Sequence, residues 1–161
     1  MPLPFPHVFL PDVTAITPQL LRQLGVEALL LDIDGTLMQT RDAMPSRPVL
    51  DWMAALRRQG VALYILSNNR HRHRVRAFAE AVELPWQNLA KKPAVSGFRR
   101  AAAQLGLPPE KLALVGDQIF TDIWGARRFG CKGILVESTD TYLWYFGLRR
   151  LAELPFRRER P

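Results

Sequence analysis

The chain has 161 residues, of which 48% are hydrophobic and 23% charged, as is typical of one soluble globular domain. Its single cysteine, Cys131, excludes an internal disulfide framework and a thiolate zinc cluster, and it indicates a reducing, cytoplasmic environment. The formal net charge of +7 favours anionic partners, namely phosphorylated metabolites, acidic membrane surfaces or nucleic acid.

The first residues are rich in proline, which stands at positions 2, 4, 6 and 11. This composition predicts an extended arm over residues 1–12 rather than a packed element. The prolines also argue against a signal peptide, and no apolar stretch is long enough to span a bilayer. We therefore expect one domain over residues 1–161, with this arm at one end and a basic, aromatic tail over residues 141–161 at the other.

Strands and helices alternate through the rest of the chain. Thr17 and Pro18 predict the start of a short helix, and Gly25 predicts its end. Further strands are predicted at about 27–33, 61–66, 86–90, 112–115 and 133–136, and further helices at 46–59, after 67–69, at 93–105 and at 121–129. Because the strands are apolar, this order predicts an α/β fold: a three-layer, Rossmann-like parallel sheet with helices on both faces. The connections are too short to hold a cap domain.

Acidic residues directly follow two of the apolar strands. Asp32 and Asp34 come after residues 29–31, and Asp117 and Asp122 come after residues 112–115. The carboxyl ends of parallel strands lie at one edge of a sheet, so these side chains are expected to meet there. Crowded carboxylates need a cation, and a donor set made only of oxygen favours Mg²⁺. We therefore expect all four aspartates at one magnesium site.

The two aspartates of the first turn suit different chemical roles. Side chains two apart on an extended segment point the same way, so both can face one phosphate. Asp32 suits a nucleophile that forms an aspartyl-phosphate, and Asp34 suits the acid and base that serves the leaving alcohol and the water. Turn or capping aspartates are the plain alternative. A calcium loop is a weaker alternative, because Ala43 stands where its closing glutamate belongs.

Two further residues extend the predicted site. Ser67 follows the strand at 61–66 and offers a hydroxyl near a helix start, where a phosphoryl group can bind, although an ordinary N-cap has the same appearance. Lys92 precedes Pro93 and can neutralise charge on the phosphoryl group, although a solvated lysine is the usual alternative. Lys91 is the weaker choice of the two lysines.

The ordered set of motifs resembles the haloacid dehalogenase (HAD) superfamily of phosphohydrolases. The motifs are Asp32-Ile33-Asp34-Gly35-Thr36, Ser67-Asn68, Lys92-Pro93, and Gly116-Asp117 with Asp122. The resemblance implies a Rossmann-like fold, Mg²⁺ dependence and a phospho-aspartate on Asp32, with Asp34 as acid and base. It also implies phosphate binding by Ser67, Asn68 and Lys92, and metal binding by Asp117 and Asp122.

A narrower resemblance covers about residues 13–137. The segments Ile65-Leu66-Ser67-Asn68-Asn69, Lys92-Pro93 and Gly116-Asp117-Gln118 with Thr121-Asp122, and the short helix before the first strand, are similar to the YqeG family of small HAD phosphatases (subclass IIIA). That family is similar to the phosphatidylglycerophosphate phosphatases of lipid biosynthesis. The chain departs from it at Gly35, where the family more often has asparagine.

Basic segments leave the partners open. Four arginines near the helix start after Ser67 suit a second phosphate, an anionic surface or a solvated helix face: Arg70, Arg72, Arg74 and Arg76. His71 and His73 between them are read as surface histidines. Residues 142–156 mix aromatic residues and leucines with arginine, so this segment either lies in a membrane interface, packs on the domain or joins a homodimer. No recognition module favours nucleic acid.

These observations predict a Mg²⁺-dependent phosphomonoester hydrolase. Without a lid domain the site is open to large substrates or is closed by a partner subunit. The resemblance to the phosphatidylglycerophosphate phosphatases implies that lipid, at a peripheral membrane location, as the leading substrate. A phosphatase of a soluble sugar phosphate or nucleotide is the first alternative. The second is a non-catalytic basic binding protein, against which the clustered carboxylates argue.

Overall fold

The computed structural model describes residues 1–140 and 151–158. The strands are β1 (Val8–Leu10), β2 (Ala28–Leu31), β3 (Ala62–Leu66), β4 (Trp86–Gln87), β5 (Leu112–Gly116) and β6 (Lys132–Val136). The α-helices are α1 (Pro18–Leu24), α2 (Arg47–Arg58), α3 (Arg72–Ala81), α4 (Ser96–Leu105) and α5 (Trp124–Phe129). Short 3₁₀ turns cover Val13–Ala15, Pro109–Lys111 and Leu154–Phe156, and a π-helical turn covers Ile119–Ile123.

The six strands form one parallel sheet in the order β1-β6-β5-β2-β3-β4. The central strands are buried on both faces: Leu29 and Leu31 of β2 pack in one apolar cluster, and Leu30 packs in another. This double burial explains why the strands are continuous apolar runs rather than alternating ones. The predicted three-layer α/β fold is confirmed. The segments 32–61 and 67–85 each hold a single α-helix, so no cap domain interrupts them.

Local signals place some helix ends better than others. The Thr17 hydroxyl accepts a hydrogen bond from the Leu20 N–H at 3.1 Å, and Gly25 ends α1 in the left-handed conformation (φ 70°), as predicted. The prediction that a helix begins at Pro93 is wrong, because α4 begins at Ser96. The intervening residues are occupied by the turn that carries Lys92, in which the Ala94 N–H donates to the Lys91 carbonyl at 2.8 Å.

The N-terminal residues are packed, which corrects the expectation of a separate arm. Val8–Leu10 forms the edge strand β1, parallel to β6, and Phe5 is buried. The prolines lie outside the strand, so none of them removes a ladder hydrogen bond. The Phe5 carbonyl accepts a hydrogen bond from Arg127 Nε at 2.7 Å. These partners lie about 120 residues away in the sequence, so composition alone did not reveal them.

A half-buried histidine anchors this edge of the sheet. His7 Nδ1 accepts a hydrogen bond from the Gly133 N–H at 3.0 Å, and Arg127 Nη1 lies 3.0 Å from His7 Nε2. Burial, together with the positive charges of Arg127 and Lys132, lowers the pKa of His7 from 6.5 to about 4. The imidazole is therefore neutral in the folded protein at neutral pH.

This lowered pKa predicts a loss of stability in mild acid. The unfolded chain takes up the His7 proton below pH 6.5 and the folded chain only near pH 4, so this contribution is present above pH 6.5 and lost as the pH falls towards 4. Urea unfolding at a series of pH values is expected to show a steeper decline between pH 6.5 and 4 for the parent than for His7→Gln. Equal slopes for the two proteins would contradict the assignment.

Part of the C-terminal tail docks on the domain. The Phe156 ring lies 5.4 Å from the Phe5 ring and 5.8 Å from the Phe120 ring, centroid to centroid. Glu153 is buried, and its Oε1 accepts a hydrogen bond from the Ile119 N–H at 3.1 Å. The contacts of Glu153 and Phe156 thus support docking of this part of the tail on the domain. The predictions for residues 141–150 and 159–161 lie outside the described residues. Among the helices that the structure describes, none has the length and hydropathy to cross a membrane.

Candidate active site

Three carboxylates meet at the carboxyl edge of the sheet. Asp32 and Asp117 follow the neighbouring strands β2 and β5, and the Asp32 N–H donates to the Val115 carbonyl at 3.0 Å. Asp122 comes from the π-helical turn after β5. Each of the three offers an oxygen, these oxygens lie within 4.8 Å of one another, and all three residues are buried. Register between adjacent parallel strands therefore brings Asp32 beside Asp117, which is 85 positions later in the sequence, and the turn after β5 adds Asp122.

Two glycines permit this close approach. A Cβ at Gly116 would lie 2.4 Å from Cγ of Asp122, so a side chain there would displace that carboxylate. Gly35 has φ +80°, and a Cβ on it would lie 2.7 Å from Oδ2 of Asp117. Gly35 thus lies where the chain brings its backbone against a site carboxylate.

The two candidate lysines, Lys92 and Lys91, have different surroundings. Lys92 Nζ lies 2.8 Å from Asp32 Oδ1 and 2.7 Å from Asp122 Oδ1, and its side chain is 1% exposed. The side chain of Asn68 binds the backbone of Lys92, with its Oδ1 accepting from the Lys92 N–H at 2.8 Å and its Nδ2 donating to the Lys92 carbonyl at 3.0 Å. Lys91 is exposed. Asn68 therefore orients Lys92, and a contact of Asn68 with phosphate stays a prediction.

The acidic group carries more negative charge than its ammonium balances. When ionised, the three carboxylates and Lys92 leave two negative charges in excess in a buried place. Burial raises the pKa of Asp32 to about 8, against the effect of Lys92, and the charges of Asp122 and Asp117 contribute to the rise. The carboxylates of Asp122 and Asp32 raise the pKa of Lys92 despite its burial, so its ammonium stays charged.

The excess of negative charge in the acidic group indicates that these residues fit a metal ion. A divalent cation would neutralise the two excess charges and favour the ionised form of Asp32. The donors are carboxylate oxygens, which suit a hard cation rather than a soft metal. The side chains of Asp32, Asp117 and Asp122 therefore fit a hard divalent metal ion.

Asp34 stands outside this group, which differs from the expectation that its carboxylate is a metal ligand. Its Oδ1 lies 2.7 Å from Arg74 Nη2, and its Oδ2 accepts a hydrogen bond from Asn69 Nδ2 at 2.7 Å. The chain leaves the extended conformation here, because the N–H groups of Thr36 and Leu37 both donate to the Ile33 carbonyl. The rule for side chains two apart on a strand therefore does not extend to Asp34.

The remaining residues of the predicted site have varied positions. Ser67 is buried at the end of β3, and its hydroxyl accepts a hydrogen bond from the Asn69 N–H at 3.0 Å. His71 and His73 are exposed and do not belong to the acidic group in the part of the chain that the structure describes.

Sequence reasoning missed three contacts at this edge. The Thr36 hydroxyl donates to Asp117 Oδ1 at 3.3 Å, and Asn69 and Arg74 bind Asp34. Thr36 lies within the first acidic motif and Asn69 directly follows Ser67-Asn68, so their places in the motifs were the available signal. Nothing in the arginine row separates Arg74 from its neighbours, because they alternate regularly.

Comparison with known proteins identifies relatives of this chain. Residues 89–142 match the family model described as HAD-hydrolase-like. The chain is 31% identical over 144 residues to the probable phosphatase YqeG of Bacillus subtilis, which spans 88% of this chain and 83% of the relative.

Solved structures share the fold at low identity. An uncharacterized protein from Listeria monocytogenes serotype 4b aligns with a TM-score of 0.61 and 16% identity, over 73% of this chain and 85% of its own. The cobalt-bound deoxy-D-mannose-octulosonate 8-phosphate phosphatase of Haemophilus influenzae aligns with a TM-score of 0.51 and 16% identity, over 59% and 60%. Together with the identity to the Bacillus protein, the matches show that the chain belongs to the YqeG family of HAD-superfamily phosphatases.

Proposed function

We propose that this phosphatase is a Mg²⁺-dependent phosphomonoesterase that works through an aspartyl-phosphate on Asp32, with phosphatidylglycerophosphate as its leading substrate. The observation that carries the proposal is the ion pair of Lys92 with Asp32 inside a buried group of three carboxylates. Burying several like charges costs stability, so such a group is expected where it performs chemistry.

The metal ion in this proposal would be held by Asp32, Asp117 and Asp122. When bound, it supplies positive charge that offsets the carboxylates and the phosphoryl oxygens. The Haemophilus influenzae phosphatase that shares this fold was determined in a cobalt-bound form, which is consistent with the proposal of a divalent ion. The preference for Mg²⁺ follows from the oxygen donors and is part of the proposal.

The proposed reaction proceeds in two displacements. An oxygen of Asp32 attacks phosphorus, the ester P–O bond breaks, and Asp34 gives its proton to the leaving alcohol oxygen. Asp34 then takes a proton from water, the resulting hydroxide attacks phosphorus, and the bond to Asp32 breaks. The products are inorganic phosphate, the alcohol and the regenerated carboxylate of Asp32. Lys92 neutralises charge on the phosphoryl oxygens, and the Ser67 hydroxyl donates a hydrogen bond to them.

The open edge of the sheet supports a large substrate. Single helices follow β2 and β3 where a cap domain would be inserted, so the described residues include no cap domain that would restrict the size of the substrate. Exposed Arg70 and Arg72 stand near the start of α3, just beyond Ser67. Positive charge beside an open site suits an ester displayed on an anionic membrane surface.

A substrate panel tests the proposal. Phosphate release is measured from phosphatidylglycerophosphate in anionic vesicles and from soluble sugar phosphates and nucleotides, each with Mg²⁺ and with a chelator. We expect turnover that requires Mg²⁺ and a kcat/KM for the lipid at least about tenfold above that for the soluble esters. A soluble ester as the best substrate would replace the lipid by the first alternative. Full activity in chelator would overturn the metal dependence.

The same assay tests the contribution of the basic surface. The double variant Arg70→Gln/Arg72→Gln is expected to lose roughly tenfold or more of its turnover on vesicles and to keep its turnover of p-nitrophenyl phosphate. The matched control is Arg22→Gln/Arg58→Gln, which removes two exposed arginines near the amino ends of β2 and β3. Equal loss in the two double variants would show that net charge, rather than this surface, attracts the vesicles.

A further inference from the structure

The arginines around the start of α3 differ in what they contact. The guanidinium of Arg72 lies 5.3 Å from the centre of the Trp86 ring. Arg76 pairs with Glu80 one turn along the helix at 2.7 Å, and both side chains are more than half exposed. Arg74 instead turns towards the loop after β2, where it meets Asp34. Of these three arginines, Arg74 is the one that contacts a residue of the proposed acid and base chemistry.

Arg74 holds two points of that loop at once. Its Nη2 lies 2.7 Å from Asp34 Oδ1, and its Nη1 donates to the Asp42 carbonyl at 2.7 Å. The side chains of Arg74 and Asp34 are only 25% and 22% exposed. Because the guanidinium is planar and its N–H groups have fixed directions, contacts to two anchors define its orientation. The pair is therefore better ordered than an exposed ion pair on a helix surface.

The second oxygen of Asp34 is held from the other side. Asn69 Nδ2 donates to Asp34 Oδ2 at 2.7 Å, and Asn69 itself is fixed because its Oδ1 accepts from the His71 N–H at 2.7 Å. A carboxylate oxygen has two lone pairs, so each oxygen keeps one that can take a proton. The carboxylate is thus fixed in orientation while it stays able to exchange a proton.

We propose that Arg74 is a positioning residue for Asp34, which orients the Asp34 carboxylate for proton transfer to the leaving alcohol and from water. This inference rests on the proposed function, in which Asp34 is the acid and base. Arg74 itself transfers no proton, because a guanidinium stays charged in proteins. Its effect is geometric: a side chain held in a productive orientation avoids the loss of rate that follows a small misplacement.

The choice of leaving group separates this role from a general structural one. An alkyl phosphate releases a basic alkoxide that needs a proton, whereas p-nitrophenyl phosphate releases a stable phenolate that does not. Arg74→Gln is expected to lower kcat/KM for glycerol phosphate by roughly 10²-fold and to change kcat/KM for p-nitrophenyl phosphate much less. The comparison uses kcat/KM because this ratio ends at phosphoryl transfer to Asp32 and excludes the water step, which both esters share. The inhibition constant of inorganic phosphate is expected to stay near that of the parent, because no contact to the phosphoryl group is removed.

Three further measurements show whether the effect of Arg74→Gln is specific to this arginine. Arg76→Gln is the matched control, since it removes an arginine two positions away on the same helix that pairs with Glu80 instead. Arg74→Lys keeps the charge and loses the paired N–H groups, so it is expected to fall between the parent and Arg74→Gln. Guanidinium ion added to Arg74→Gln is expected to restore part of the glycerol phosphate activity. Arg74→Lys also serves as the test if urea unfolding shows that Arg74→Gln is not folded.

Three results would overturn the inference. Equal losses of kcat/KM for the two esters would indicate a structural role, weaker inhibition by inorganic phosphate would indicate a substrate-binding arginine, and parent-like kinetics would exclude any role. Failure of the proposed function is seen separately, because it would appear in the parent protein as an absence of phosphate transfer to Asp32. An inactive parent protein would thus distinguish a failure of the proposed function from a failure of the role of Arg74.

Discussion

The Asp32→Asn variant is expected to lose activity by roughly 10⁴-fold or more in kcat. An amide oxygen is a poor nucleophile, so the first displacement at phosphorus cannot proceed through this position. Phosphate release in Mg²⁺ measures the loss. In chelator, the free energy of unfolding is expected to be at least that of the parent, because the substitution removes a buried carboxyl whose raised pKa shows that the fold disfavours its ionised form.

Two controls accompany this prediction. Asp51→Asn makes the same chemical change on an exposed residue that pairs with Arg47, and its activity should equal that of the parent. Asp34→Asn is expected to slow turnover and to accumulate the aspartyl-phosphate, which appears as a phosphate adduct in the mass of the intact protein. Activity in Asp32→Asn equal to that of the parent would remove Asp32 from the role of nucleophile.

The Lys92→Met variant is expected to lose about 3–5 kcal/mol of stability in chelator, together with its activity. Lys92 Nζ contacts both Asp32 and Asp122 with 1% of its side chain exposed, so its removal leaves buried carboxylates without their ammonium partner. Urea unfolding with chelator measures this cost. Added Mg²⁺ is expected to raise the unfolding midpoint of the variant more than that of the parent, because the metal supplies the missing charge.

A second substitution tests the cause. The double variant Lys92→Met/Asp122→Asn removes one positive and one negative charge, and it should recover much of the stability without recovering activity. Lys111→Met is the matched control, since Lys111 pairs with Glu27 on the surface, and its unfolding midpoint should be that of the parent. If Lys92→Met unfolds like Lys111→Met, the charge balance of the acidic group is not what Lys92 provides.

Some of the site contacts on which these predictions depend could be predicted from the sequence, and others could not. The apolar runs before Asp32 and Asp117 predict buried parallel strands, and parallel strands bring their following turns to one edge. That reasoning needs only the order of the elements, and it anticipated that Asp32, Asp117 and Asp122 lie together, although it placed Asp34 with them as well. The roles assigned to these residues stay predictions until the variants are measured.

Errors arose where distant residues decide the local structure. The proline-rich start was expected to be a separate arm, yet Val8–Leu10 pairs with β6 and His7 and Phe5 receive hydrogen bonds from residues far along the chain. Composition describes what a segment favours in isolation and contains no information about a partner strand. For the tail, composition left docking on the domain open as one alternative, and the structure supports it, because Glu153 accepts a hydrogen bond from the Ile119 N–H, 34 residues earlier.

By itself, the sequence determined the α/β class, the absence of a cap and the edge at which the acidic turns meet, because periodicity and element order are local properties. Only the tertiary structure decided that Asp34 leaves the carboxylate group and is held by Arg74, since that pairing spans 40 positions and two elements. Patterns along the chain identify which residue types stand at a strand end. Which of these residues contact one another depends on how the loops and helix starts pack. In a loop, a shift of one residue in a turn changes the direction of a side chain.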